Sequence, residues 1–164
     1  MTDQLELNPL VRRFVEDAGA LTQSFGVGRV IGQIYAYLYF SAEPRNLIDM
    51  QEALGISKGS ASTGVRQIEQ WGGVRKVWVK GDRKDYYVAS DWFGQILKNA
   101  ILDTVGKKMN GYASLLDDVE ERMNDLPAVD GDTEFFRERI SHLRRFQKRT
   151  EGAWNNPLLK RLLK

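Results

Sequence analysis

At Trp71-Gly72-Gly73 the hydrophobic period of the chain changes, and that change constrains the fold more than any other feature. Upstream, apolar residues recur every three or four positions, the spacing of one helix face. Downstream, VRKVWVK at 74–80 and DYYVAS at 85–90 are rich in β-branched and aromatic residues, with Gly81-Asp82-Arg83-Lys84 between them. The pair predicts a β-hairpin with a charged tip. From Asp91 the helical period returns.

The helical stretches have readable ends. Leu10, Phe14, Ala18, Leu21 and Phe25 predict a helix over 8–25, closed by Gly26 and Gly28. RVIGQIYAYLYF at 29–40 is apolar nearly all round, which predicts a buried helix. Ser41-Ala-Glu-Pro44 marks a loop. Asn46 can then cap a short helix with Leu47, Met50 and Leu54 inward and Gly55 closing it, and Ser57 can cap the next one over 57–71. Two short helices joined by a tight turn containing Gly form a helix-turn-helix, and the hairpin directly after it makes the order that of a winged helix.

In the C-terminal half, Val105, Met109, Tyr112, Leu116, Val119, Met123 and Leu126 step alternately by four and three, a regular a/d seam on one long helix. Phe93, Leu97 and Ile101 extend an apolar face upstream; Gly106 and Gly111 weaken the helix and permit a kink. Pro127 ends it, Asp130-Gly131-Asp132 reads as a turn, and a last helix over 133–150 is expected to turn Phe136, Ile140, Leu143 and Phe146 inward. The tail WNNPLLKRLLK adds a short basic amphipathic segment. The expected fold is mainly α with a small β-hairpin wing. Residues 1–28 are expected to hold an N-terminal helix, 29–90 a winged helix-turn-helix, and 91–164 a C-terminal helical region.

Composition removes several function classes. The 164 residues include no Cys, so disulfides, thiolate metal sites and Cys nucleophiles are excluded. The one His, His142, excludes metal sites built on His pairs; it reads as a surface or packing residue. No phosphate-loop, dinucleotide, zinc-protease or nucleophile-elbow motif occurs. The carboxylates of DDVEER read as a solvated helix face rather than an acid/base pair. No cofactor and no enzymatic activity are expected. The longest apolar region, VIGQIYAYLYF, is too short to span a bilayer, and the N-terminus lacks a signal-peptide run. A cytoplasmic chain without a membrane partner is expected.

The helix over 57–71 begins with Gly, Ser and Thr, which are poor helix formers. On a helical wheel Ala61, Val65 and Ile68 share one face, while Gly59, Ser62, Thr63, Arg66 and Gln70 share the other. The second face has one long cation among short polar side chains. Such a face lets the backbone approach DNA closely, with hydroxyls and N–H groups toward phosphates and base edges. Between Ser57 and Ser90, seven cations against three anions leave a net charge of +4, while 103–125 is net acidic. The plainer alternative stays open: Ser57 and Ser60 as cap and first-turn residues, Gly59 and Gly64 as close-approach positions between helices, and GDRK as a hairpin turn kept soluble by its charge. In the functional reading Arg83 enters the minor groove, Lys80 and Lys84 meet phosphates, and Asp82 holds Arg83 by an ion pair.

LGISKGSASTGVRQIEQWGGV followed by GDRKDYYV resembles the MarR-type winged helix-turn-helix regulators. Together with FVEDAGALTQSFGVGRVIGQIYAYLYFS, it resembles their GbsR-like branch over about residues 10–125. The resemblance implies a homodimeric transcription regulator, often a repressor, that binds a pseudo-palindromic double-stranded operator. Carried over by position, it implies DNA contacts at Ser57, Lys58, Ser60, Ser62, Thr63, Arg66 and Gln67, with Arg83 and Lys84 on the wing beside the Lys80 of the charge reading. It implies dimerisation through the terminal helices; with the seam, the interface residues are Leu10, Phe14, Met109, Tyr112, Leu116, Val119 and Met123. In some GbsR-like proteins it also implies a small-molecule effector of choline type. Tyr35, Tyr37, Tyr39, Phe40, Trp92, Phe93 and Tyr112 could form an aromatic cage or simply a core; the effector's identity is left open. The competing class is a winged-helix module that binds a protein partner without DNA.

Overall fold

The computed structural model of the chain describes residues 8–124 and 131–157. It divides into two compact units at residues 101 and 102.

The first unit opens with α1 (Pro9–Ser24), capped by Asn8, whose side chain accepts from the Leu10 N–H at 2.9 Å. Its packing side is Val15 and Gly19, with Val11 and Ala18 half-buried beside them. The Leu10, Phe14, Leu21 and Phe25 side chains stand exposed. α2 (Arg29–Tyr39) crosses α1 at two glycines. A Cβ at Gly32 would lie 2.2 Å from the Ala18 carbonyl oxygen, and one at Gly19 would lie 2.8 Å from Gln33 Cγ. The Thr22 hydroxyl bridges the turn by donating to Gly28 O at 2.9 Å, and Glu16 pairs with Arg29 and accepts from Gln33. As expected of an all-round apolar helix, α2 is the core element, with Ile34, Ala36, Tyr37 and Leu38 buried.

Next come β1 (Arg45–Asn46) and α3 (Leu47–Leu54). The Asn46 cap is a full capping box: Asn46 Oδ1 accepts from Ile48 and Asp49 N–H, and Asp49 returns a carboxylate to the Asn46 N–H at 2.8 Å. Gly55 ends α3 in the left-handed region, φ 65°, where a glycine closes a helix without steric cost. α4 (Lys58–Gln70) starts from Ser57, whose Oγ accepts from the Ser60 N–H at 3.1 Å. Ala61, Val65 and Ile68 are buried as the wheel predicts, and Gly64 joins them. A Cβ there would meet Ile34 Cδ1 at 2.6 Å, so Gly64 is a close-approach position; at Gly59 only Ser57 Oγ lies within 4 Å, at 3.9 Å.

β2 (Val74–Val77) and β3 (Tyr86–Ala89) pair antiparallel from Val74 opposite Ala89 to Val77 opposite Tyr86. The paired strands are shorter than expected, leaving 78–85 as the wing loop. β1 was not anticipated: it adds to the free edge of β3, with Arg45 opposite Tyr87 and Asn46 opposite Tyr86, in the order β1-β3-β2. Two residues that also begin a helix carry no strand period. Val15, Ile34, Tyr37, Met50, Val65, Ile68, Val74 and Tyr87 form one core cluster. α5 (Phe93–Asn124) starts in this unit, where Asn99 donates to Trp71 O at 3.0 Å. It runs through Gly106 and Gly111 as uninterrupted helix.

In the second unit, the seam positions Val105, Met109, Tyr112, Val119 and Met123 are half-buried and Leu116 is 2% exposed, so this stripe is covered in part by its own chain. Leu126, Pro127 and Asp130 lie outside the described residues, as do 158–164 of the tail. α6 (Gly131–Trp154) already includes Gly131 and Asp132, which replaces the turn expected there with helix. Its inward side is also not the expected one. Arg144 donates to Glu120 at 2.9 Å and to Asp117 at 2.6 Å, and Gln147 is buried with its amide on Glu151. Ile140 is half-buried, whereas Phe136, Leu143 and Phe146 are exposed. Hydrophobic spacing identified the stripe but not the fork of charge-assisted bonds from Arg144 that joins α6 to α5.

Candidate nucleic-acid interface

The exposed side of α4 is built by its own buried side. Ala61, Val65 and Ile68 fix the helix on the core, which leaves Lys58, Ser60, Thr63 and Arg66 in solvent and Ser62 and Gln67 half-buried. The side chains are partly ordered before any ligand arrives. Arg66 donates to Ser62 Oγ at 2.9 Å, one turn back, which aims the guanidinium along the helix toward its N-terminus. Gln67 donates to Gln70 at 3.1 Å. Ser57 and Ser60 share a hydroxyl–hydroxyl bond of 2.9 Å besides the cap, so these two hydroxyls are first of all part of the helix start. Beside this N-terminal half lies an open hollow of about 490 Å³. Val27, Val30 and Ile31 wall it on one side, and Ser60, Thr63 and Gln67 on the other. The short residues of α4 therefore leave a recess along the helix.

The wing tip is a constructed turn. Asp82 N–H donates to Val79 O at 3.3 Å, with Lys80 and Gly81 between them; Gly81 has φ 88°, the left-handed value that a type II turn requires at its third residue. The Asp82 carboxylate then accepts from the Lys84 N–H at 2.9 Å and from the Tyr86 hydroxyl at 2.8 Å. These bonds hold its pKa below the ordinary carboxylate range, the Lys84 N–H contributing most. The expected ion pair between Asp82 and Arg83 is therefore replaced by a backbone clamp. A backbone N–H two residues on lies within reach of a short carboxylate at no cost in side-chain entropy. Arg83, Lys80 and Lys84 are left exposed around the clamp. Lys76 does find a partner, Asp85 at 2.7 Å, which raises its pKa. Tyr86 was not singled out in the sequence, although strand alternation alone would place it next to the tip.

α4 and the wing thus bring Ser57, Lys58, Ser60, Ser62, Thr63, Arg66, Gln67, Lys80, Arg83 and Lys84 onto one unit. The charges of Glu69 and Arg66 reach Tyr87 on β3, so the later part of α4 lies near the root of the wing. Of the interface residues, Leu10 and Phe14 are uncovered and Phe14 meets Phe40 edge-on at 5.0 Å; the Met109–Met123 stripe belongs to the other unit.

The aromatic residues do not gather as one group. Tyr37 is core, and Trp92 is exposed. Tyr35, Tyr39, Phe40 and Phe93 pack mostly edge to face, at 5.0–5.7 Å, with Tyr35 and Tyr39 stacked at 6.1 Å. The Tyr35 hydroxyl donates to Ser90 O at 2.6 Å, and burial, with the charges of Tyr39 and Asp91, pushes its pKa up to about 12. Among the described residues no cluster of His, Asp or Glu could hold a metal ion, and no helix is long and apolar enough to cross a membrane.

The chain is similar to known proteins. The chain is 28% identical to the HTH-type transcriptional repressor OpcR of Bacillus subtilis over 132 residues, covering 68% of this chain and 70% of that protein. It is 35% identical to the HTH-type transcriptional repressor GbsR of the same organism over 89 residues, 54% of this chain and 49% of that one. A crystal structure of a transcriptional regulator shares the fold with a TM-score of 0.51 at 24% identity, covering 89% of this chain and 96% of that one. No family model matches the chain. The relatives are transcriptional regulators rather than enzymes, in agreement with the MarR-type resemblance.

Proposed function

We propose that this winged-helix relative of HTH-type transcriptional regulators is a homodimeric, sequence-specific DNA-binding repressor. The observation that carries the reading is the exposed side of α4: short side chains beside a recess, a single Arg aimed along the helix by Ser62, and a basic clamped wing on the same unit. In this reading α4 lies in the major groove. Its N-terminal half meets base edges through Ser62, Thr63, Arg66 and Gln67, while Ser57, Lys58 and Ser60 meet phosphates. Arg83 enters the adjoining minor groove, with Lys80 and Lys84 on the backbone to either side. Two copies place two such helices about 34 Å apart on one face of a pseudo-palindromic operator. Residues 1–28 and 91–164 supply the dimer contacts, 29–90 the DNA-binding part. Occupancy blocks transcription by steric exclusion, so the chain works in the cytoplasm with the DNA. The names of its relatives support the repressing sign.

The test is a binding titration on duplex DNA across a salt series. Affinity is expected to fall steeply with salt, with a log–log slope of about −0.9 per phosphate neutralised. Arg66→Ala is expected to lower specific affinity roughly ten- to hundredfold. Arg83→Ala should weaken binding with less change in major-groove sequence choice. If both variants bind as the parent does, the contact surface has been assigned to the wrong residues. If no duplex is bound even at low salt, the protein-interaction reading takes its place.

A further inference from the structure

We infer that Trp78 forms an aromatic shelf on the wing that packs against the deoxyribose–phosphate wall of the minor groove. The inference rests on the DNA-binding reading and adds a contact of a different chemical kind to its cationic ones.

Trp78 follows directly on β2 and is 78% exposed. Single exposed apolar residues are common; the position of this one sets it apart. The strand alternation places Val74, Lys76 and, one step further, Trp78 on the same side of the hairpin. Val74 ends in the core. Lys76 lies within the field of Glu69 on α4. This side of the wing is therefore turned toward the later part of α4, and along the chain Trp78 lies between the cations Lys76 and Lys80. The other wing aromatics have structural work: Tyr87 is core and Tyr86 holds Asp82. Among the described residues no ring, cation or hydrogen-bond partner meets Trp78.

Its distance from the tip selects the part of DNA it meets. Gly81 marks the apex of the turn, three residues on, about 10 Å of extended chain at most. The minor groove is about 7.5 Å deep. With Arg83 in the groove, Trp78 stands at the rim, where sugars present apolar edges and phosphates present acceptors. An indole fits both, through its flat face and its single Nε1–H donor. Such a contact removes apolar surface from water without adding charge and without reading a base.

The test compares the parent, Trp78→Ala and Trp92→Ala on duplexes of about 30 base pairs, one of random sequence and one selected for tight binding, across a salt series. Trp92 is equally exposed but lies outside the wing. Trp78→Ala is expected to lower affinity for both duplexes by the same factor, roughly five- to tenfold. The salt slope should stay unchanged because no cation is lost, and Trp92→Ala should bind as the parent does. A Trp78→Ala variant that binds like the parent overturns the shelf and leaves the DNA reading standing. A loss confined to one duplex also overturns it, because a base contact would then be at work. A parent that binds neither duplex overturns both.

Discussion

At Gly59 the proposed binding and the stability of the fold make opposite demands. It sits in the first turn of α4, is exposed, and has open space where a side chain would be. Nothing in the packing requires a glycine there, unlike Gly64, whose missing Cβ admits Ile34. Gly59→Ala is therefore expected to stabilise the protein by about 0.5–1 kcal/mol in a urea melt. The same variant should weaken DNA binding in a parallel anisotropy titration, because a methyl group then separates the helix backbone from phosphate. A variant that gains stability and binds as tightly as the parent would show that small size at 59 has no function. Much of this residue-level detail was legible beforehand: the inward set Ala61, Val65 and Ile68, the Ser57 cap and the Gly55 closure all follow from helix period and capping chemistry. The partner of Asp82 was not. Sequence adjacency suggested Arg83, whereas the local turn geometry delivers the Lys84 N–H and the Tyr86 hydroxyl.

At the scale of elements, the joint between α1 and α2 depends on absence of side chains. Gly32 faces the Ala18 carbonyl and the Thr22 hydroxyl so closely that even a methyl group must push a helix aside. Gly32→Ala is expected to cost about 1–3 kcal/mol, read as a lower urea midpoint with an unchanged m-value. Gly111→Ala, at an open helical position, should be neutral or stabilising. If both substitutions behave alike, the crossing is not tight. Period analysis could not find this joint, because glycine carries no hydrophobic signal; it registered Ala18, which lies at the joint, and the larger Leu10, Phe14, Leu21 and Phe25, which stand exposed. α6 repeats the lesson. Its apolar period was visible, but the bonds of Arg144 to Glu120 and Asp117 on α5, across 24 and 27 residues, are ones that spacing does not encode.

At the scale of the whole molecule, the proposed homodimer would cover the apolar stripes that each unit leaves exposed. The first unit exposes Leu10, Phe14, Leu21 and Phe25; the second exposes Phe135, Phe136, Leu143 and Phe146. Exposed apolar patches of this kind mark association surfaces. Sedimentation at micromolar concentration is expected to give twice the chain mass, and Phe136→Glu should give the single mass with its helix content intact. Phe136 is 58% exposed in the lone chain, so the substitution should leave the subunit's own stability within about 0.5 kcal/mol. A parent that sediments as one chain would remove the dimer from the proposal. The glycine crossing bears on what such an assembly could do. Gly19 and Gly32 let α1 and α2 approach closely, Thr22 and the Glu16–Arg29 pair bridge them, and α2 in turn seats Ile34 into the notch at Gly64 of α4. In the proposed dimer a displacement of α1 is expected to carry α2 and α4 with it, so that the subunit contact and the pitch of α4 on DNA would be linked.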